Sequence, residues 1–160
     1  MVASGVEPNL ESLAAISYLH NAFPNLKIRY VYVLDLLRLK SPSLDPRGIS
    51  DEEFDKVFTK DKPIVFAFHG YEGLIRDILF PRKNHNLIVH GYRENGDITT
   101  SFDIRFLSEM DRFHIAYDAA KAVYQDKANE FLKTLKQKMS THTAYVREYG
   151  YDMSEIINWK

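Results

Sequence analysis

Apolar and polar residues along this chain switch between a period near two and a period near 3.6, and the switches divide it into alternating strands and helices. Val2-Ala3-Ser4-Gly5 reads as the end of a strand passing into a loop. Leu10, Leu13, Ala14, Ile16 and Leu19 then recur at helical spacing, with Pro8 in the first turn and Pro24 as the stop. Lys27 to Leu34, KIRYVYVL, is β-branched and aromatic, and too apolar on both parities for a strand with one wet face. Ser41 to Gly48, with Pro42 and Pro46, is a loop. Ser50 and Glu53 stand at capping-box spacing, each side chain satisfying an orphan amide, and open a short helix through Phe58. The apolar run Pro63 to Phe68 is a strand, followed by a helix near Tyr71 to Leu79 that ends before Pro81.

The second half is more helical. Asn86 to Tyr92 is a further strand, and Asn95-Gly96 marks a turn before Ile98-Thr99-Thr100. Ser101 or Asp103 caps the next helix, and Asp111 caps another in which Phe113, Tyr117, Ala120 and Tyr124 share a face. From Asp126 a long helix sets Phe131, Leu132, Leu135 and Met139 on one side and Lys133, Lys136 and Lys138 on the other, with Gly150 as its left-handed stop. Strands alternating with helices predict an α/β fold in three layers, a mostly parallel sheet covered on both faces. Residues 1–160 carry no repeat or linker and read as a single domain.

Composition narrows the function more than it names one. With 45% apolar residues, ten Tyr and ten Phe, the 160-residue chain fills a core without staples, and the absence of cysteine removes disulfides, thiolate metal sites and a Cys nucleophile. That usage agrees with a reducing cytoplasm. A formal charge of −1 gives no footprint for nucleic acid, and no apolar run reaches the ~20 residues that span a bilayer. Neither nucleic acid nor membrane is expected as a partner.

Two loops carry the candidate chemistry. Phe68-His69-Gly70-Tyr71 falls at the carboxyl end of a central strand, where open α/β sheets place ligands. Gly70 permits a tight turn, and His69 either donates to an anion or partner carbonyl or simply pins the loop. A hydrolase reading of the His-Gly pair lacks its nucleophile, because no G-x-S-x-G occurs. Arg82, Lys83, His85 and His90 form the second group, suited to gripping phosphate through charge-assisted bonds or to facing a subunit. Histidine spacing is wrong for a helical metal pair. The lysines of the long helix read as its wet face. The tail from Tyr149 to Trp159 is rich enough in large apolar groups to be a strap across this domain or a neighbour.

These loops, with FPRKNH and GYRENGDITT, belong to a longer ordered set: ASGVEPNLESLAAISYL, KIRYVYVLDLLRLKSP, GISDEEFDKVFTKDKP, ITTSFDIRFLSEMDRFHIAYDA and YVREYGYDMSEIINW. The set resembles the C-terminal domain of the thiamine-diphosphate-dependent xylulose-5-phosphate/fructose-6-phosphate phosphoketolases, weakest from Lys127 to Thr143. The resemblance implies a fold like the transketolase C-terminal domain, a mostly parallel sheet of about five strands. It implies a parent aldehyde-lyase that uses thiamine diphosphate and Mg²⁺ to turn a ketose phosphate and phosphate into acetyl phosphate and an aldose phosphate. This chain departs from the full pattern in having no Gly-Asp-Gly with paired Asn downstream, since Gly96-Asp97 runs on into Ile98. No catalytic, cofactor or metal residue is therefore carried over.

The expectation is a domain excised from a larger enzyme and beginning inside its first strand. It would pack on absent N-terminal cofactor-binding domains and help pair subunits as a dimer or higher oligomer. His69, Gly70, Tyr71, Arg82, Lys83 and His85 are the residues expected at such an interface or at an anion. The alternatives are an effector module sensing a phosphorylated metabolite around His69, Arg82 and His85, and a subunit acting only with partner chains.

Overall fold

A computed structural model describes residues 1–94, 96 and 98–159. Strands β1 (Val2–Ser4), β2 (Val31–Tyr32), β3 (Ile64–Phe68) and β4 (Leu87–Gly91) form one sheet in the order β2-β1-β3-β4. Every pairing is parallel, with Val2 opposite both Val31 and Phe66, and Ile64 opposite Leu87. Among the described residues the sheet thus has four strands rather than about five. The helices are α1 (Val6–Ala22), α2 (Asp51–Phe58), α3 (Glu72–Leu79), α4 (Ser101–Leu107), α5 (Arg112–Tyr124), α6 (Asn129–Tyr149) and α7 (Ser154–Ile157). None of the described helices is long and apolar enough to cross a membrane.

Alternation along β3 builds the two halves of the core. Val65 and Ala67 join a cluster with Ala15 and Leu19 of α1, Phe113 and Ala116 of α5, and Leu132 and Leu135 of α6. Ile64 and Phe66 join the other, with Phe54 and Phe58 of α2 and Ile75, Ile78 and Leu79 of α3. A strand buried on both faces, with successive side chains pointing to opposite layers, is what a covered parallel sheet requires.

Several local readings hold because their physics is local. The Ser50 hydroxyl accepts from the Glu53 amide at 3.2 Å while Glu53 accepts from the Ser50 amide at 2.9 Å, completing the capping box. Asp111 caps α5, accepting from the Phe113 amide at 2.8 Å, and Gly150 ends α6 at φ 73°. The aromatic tail does strap this domain. Ile156 of α7 enters the core, and the Asp152 carboxylate accepts from the Phe102 amide at 3.2 Å.

Other expectations are corrected. The strand expected over Lys27 to Leu34 narrows to two residues on the sheet's edge, so Tyr32 and Leu34 are exposed. Thr100, not Ser101 or Asp103, caps α4 by accepting from the Asp103 amide at 3.1 Å. A 3₁₀ turn over Gln125–Ala128 precedes α6, which begins at Asn129. The Asn95-Gly96 turn lies outside the described residues, because Asn95 does. On α1 the core face is Pro8, Glu11, Ser12, Ala14, Ala15 and Leu19, while Leu10 and Leu13 point outward. Small residues let α1 lie close against the sheet and α5, and a buried carboxylate replaces a leucine in the inner stripe.

Phe66 is 0% exposed at the centre of the sheet, whereas Phe80 is 76% exposed at the end of α3. Phe66→Ala is expected to lower stability by about 3–5 kcal/mol. Phe80→Ala should change it by less than about 0.5 kcal/mol. Urea unfolding of both variants checks the contrast.

Candidate interface site at the carboxyl edge of the sheet

In the order β2-β1-β3-β4, the chain leaves β1 toward one side and returns to place β3 on the other, so the crevice between β1 and β3 is the topological switch point. Its walls are the loops Gly5-Val6-Glu7 and His69-Gly70-Tyr71. The His69 amide donates to the Ser4 carbonyl at 3.0 Å, extending the strand pairing, and His69 Nδ1 stands 2.9 Å from Glu7 Oε2. Gly5 sits at φ 111°, and a Cβ there would lie 2.5 Å from the His69 Cβ, so both backbone conformation and close approach demand glycine. Gly91 is constrained by close approach alone, its hypothetical Cβ falling 2.6 Å from the Glu72 amide nitrogen.

Tyr71 donates its hydroxyl to Glu94 at 2.9 Å, and its ring lies 6.0 Å from that of Tyr92. The Glu94 acceptor pushes the Tyr71 phenol above its ordinary range. Acids already stand in the first turns of both helices opening here, Glu7 in α1 and Glu72 in α3. Those helix ends would otherwise attract anions, so the crevice repels a phosphate. Beside it Val6, Leu10 and Leu13 form an exposed stripe at helical spacing on α1, and Leu34 is 86% exposed at the end of β2. The edge offers an apolar strip with a polar, mostly acidic margin. That suits contact with another protein surface better than capture of an anion.

Arg82, Lys83 and His85 lie elsewhere. Helix α3 starts at the carboxyl edge and carries the chain back across the sheet, so these residues precede β4 at the amino edge. The expected single cluster around His69, Arg82 and His85 is therefore divided between opposite edges. Arg82 is buried and held by four hydrogen bonds. Its Nε and Nη2 donate to the Leu39 carbonyl at 3.0 and 2.8 Å, Nη2 also reaches the Ile49 carbonyl, and Nη1 pairs with Asp51 at 2.6 Å. With its guanidinium 4.4 Å from the Phe54 ring centroid and four of its five N–H donors engaged, Arg82 ties the loop before α2 to the end of α3 and is buried away from any phosphate in solvent. Lys83 and His85 are exposed. His90, grouped with them in the sequence, is buried on the α5 side of β4.

The most developed polar arrangement was not anticipated. Glu11, 0% exposed, receives a forked pair from Arg112, Nε at 2.8 Å and Nη2 at 3.1 Å, and accepts from the Arg112 amide at 3.1 Å. Arg105 Nε stands 3.4 Å from the same carboxylate. Next to it, Asp111 caps α5 and bonds the His114 ring. His90 Nδ1 meets the Glu109 carbonyl at 2.6 Å, with Asp118 3.5 Å from Nε2, and His142 Nε2 meets Asp103 at 2.9 Å. Glu11 and Arg112 lie 101 positions apart, and no local pattern announces such a pair. The available signal was a lone acid inside an apolar helical stripe.

The chain is thus an open, parallel, three-layer α/β domain whose carboxyl edge, among the described residues, is an apolar strip with an acidic margin. Its whole length, residues 1–160, matches the family model described as the XFP C-terminal domain, and the chain belongs to that family. It is 55% identical over 159 residues to a "Probable phosphoketolase" of Pediococcus pentosaceus, covering 98% of this chain and 20% of that protein. Against the "Xylulose-5-phosphate phosphoketolase" of Lactiplantibacillus pentosus it is 55% identical over 160 residues, 99% of this chain and 20% of the relative. A "Probable phosphoketolase 2" of Rhizobium meliloti shares 44% over 163 residues, 100% and 21% respectively. The chain thus spans about one fifth of the length of these curated relatives.

Burial lowers the His90 pKa below 6.5 despite the nearby Asp118 charge. For His114, burial acts in the same direction, but the hydrogen bond and charge of Asp111 outweigh it and hold the ring above 6.5. His114 therefore contributes stability that is full below 6.5 and lost as pH rises through its folded value. His90 is held neutral in the fold, and stability falls as pH drops below 6.5 toward its lowered value. Ring NMR titration should place the His114 midpoint above 6.5 and the His90 midpoint below it, and the reverse order would refute the assignment.

Proposed function

We propose that this chain is the C-terminal structural domain of a phosphoketolase, packing on the cofactor-binding domains of the same polypeptide and helping to pair subunits into a dimer or higher oligomer in the cytoplasm. The parent activity proposed is that of an aldehyde-lyase in carbohydrate metabolism, cleaving xylulose 5-phosphate or fructose 6-phosphate with phosphate to give acetyl phosphate and an aldose phosphate. Family membership over the full chain supports this, together with the word phosphoketolase in each relative's name. The observation that carries the architectural role is the exposed Val6, Leu10 and Leu13 stripe beside the Glu7–His69 crevice, an apolar strip with no function in the isolated fold. Contiguous exposed apolar surface marks contact with other protein.

Thiamine diphosphate and Mg²⁺ belong to the proposed parent enzyme, and the residues of this chain do not fit them. Among the described residues no group of three His, Asp or Glu side chains is arranged to hold a metal. The helix N-termini at the carboxyl edge carry Glu7 and Glu72, which oppose a diphosphate. Bound to its own domains, the cofactor would supply the electron sink.

The isolated chain, given thiamine diphosphate, Mg²⁺, xylulose 5-phosphate and phosphate, is expected to form no acetyl phosphate above background in a hydroxamate assay. In a full-length phosphoketolase carrying this domain, Leu10→Glu with Leu13→Glu should weaken subunit or domain association in sedimentation. The same changes should leave the melting of the isolated domain nearly unaltered. Turnover by the fragment, or unchanged sedimentation of the double variant, would refute the reading.

A further inference from the structure

A cavity of about 590 Å³ opens at the amino edge of the sheet, on the side away from the Glu7–His69 crevice. Its inner wall is apolar: Leu19 of α1, Val65 of β3, and Ala119 and Val123 of α5. Its rim is formed by Lys27 and Arg29 from the loop after α1 and by Lys62 from the loop before β3. Lys27, Arg29 and Lys62 are its basic side chains, Met1 lines it as well with its ammonium donating to the Arg29 carbonyl at 3.0 Å, and the one carboxylate at the rim among the described residues is Asp61, paired with Lys62.

The rim is built as well as charged. Arg29 Nη1 donates to the Val57 carbonyl at 2.9 Å, which holds the guanidinium against the end of α2, while Nε and Nη2 take no partner among the described residues. Lys62 Nζ pairs with its exposed neighbour Asp61 at 2.9 Å, with both side chains about 70% in solvent, a pairing that an incoming anion displaces at little cost. Water gains few hydrogen bonds from the apolar wall, whereas a hydrocarbon body of matching size removes that wall from water.

From the apolar wall and cationic rim we infer that this cavity binds a small amphipathic anion, with the apolar body against Leu19, Ala119 and Val123 and a carboxylate or phosphate head at Lys27, Arg29 and Lys62. The site is distinct from the carboxyl-edge surface.

Isothermal titration of the 160-residue chain with decanoate, decyl phosphate and decylamine, each below its micelle threshold, tests it. Both anions are expected to bind at one saturable site, the stronger of the two identifying the preferred head group, and decylamine should bind at least about tenfold more weakly. Lys27→Glu with Lys62→Glu changes only exposed side chains and should weaken the anions about tenfold or more while the circular dichroism stays unchanged. Val123→Trp, filling the cavity from a half-exposed position, should abolish binding by a route independent of charge. The inference is overturned if neither anion saturates, if decylamine binds equally well, if inorganic phosphate binds as tightly as decyl phosphate, or if both variants bind normally. Loss of the site in a longer polypeptide containing this chain would overturn it too.

Discussion

Glu11 and Arg112 form the contact around which one whole side of this domain is arranged. The pair joins α1, the first helix, to the start of α5, and it lies inside the apolar layer that covers the sheet. The Arg112 guanidinium also faces the rings of Phe102 in α4 and Trp159 in the tail, each with its centroid 5.3 Å away. One ionic fork therefore positions the α1–α5 contact, the short α4 and the strap at once. Taking two charges out of water is expensive, and the fork offsets that only because both carboxylate oxygens and the Arg112 amide are satisfied. Removing Glu11 leaves Arg112 buried without a carboxylate, and removing Arg112 leaves the buried Glu11 with only Arg105, 3.4 Å away.

That arrangement explains why α1 turns leucines outward. With Glu11, Ser12, Ala14 and Ala15 committed to the inner face, Val6, Leu10 and Leu13 fall on the outer one, next to the loops at the switch point. The carboxyl edge, where many α/β proteins hold a phosphate, here carries acids in the first turns of two helices and an apolar strip beside them. The fold is one often used for ligand binding, yet its customary crevice is chemically suited to contact with protein. Fold and function are separable, and here the residues at the edge decide between them.

Features set by neighbouring residues were legible in the sequence. Strands β3 and β4, the Ser50–Glu53 box, the Asp111 cap and the Gly150 stop all follow from chemistry within a few positions. The Glu11–Arg112 pair and the role of Arg82 were not legible, because their partners lie 101 and 31 to 43 positions away. Arg82 reads in sequence as one of a basic loop, and only the fold shows it buried and bonded to Leu39, Ile49 and Asp51. The separation of His69 from His85 was readable in principle. A helix of eight residues linking two parallel strands spans about 12 Å and must deliver the chain to the opposite edge. The edge position of β2 could not be inferred from its apolar content, since Tyr32 and Leu34 are exposed in a strand that reads as buried.

A double-mutant cycle on Glu11→Leu and Arg112→Met, followed by denaturant unfolding, tests most directly whether this fork organises the domain. Each single change is predicted to cost about 3–5 kcal/mol by breaking the buried fork, Arg112→Met toward the lower end because Arg105 still stands 3.4 Å from Glu11, and the double variant to recover much of that loss. Single changes that cost little, or losses that simply add in the double variant, would contradict the account.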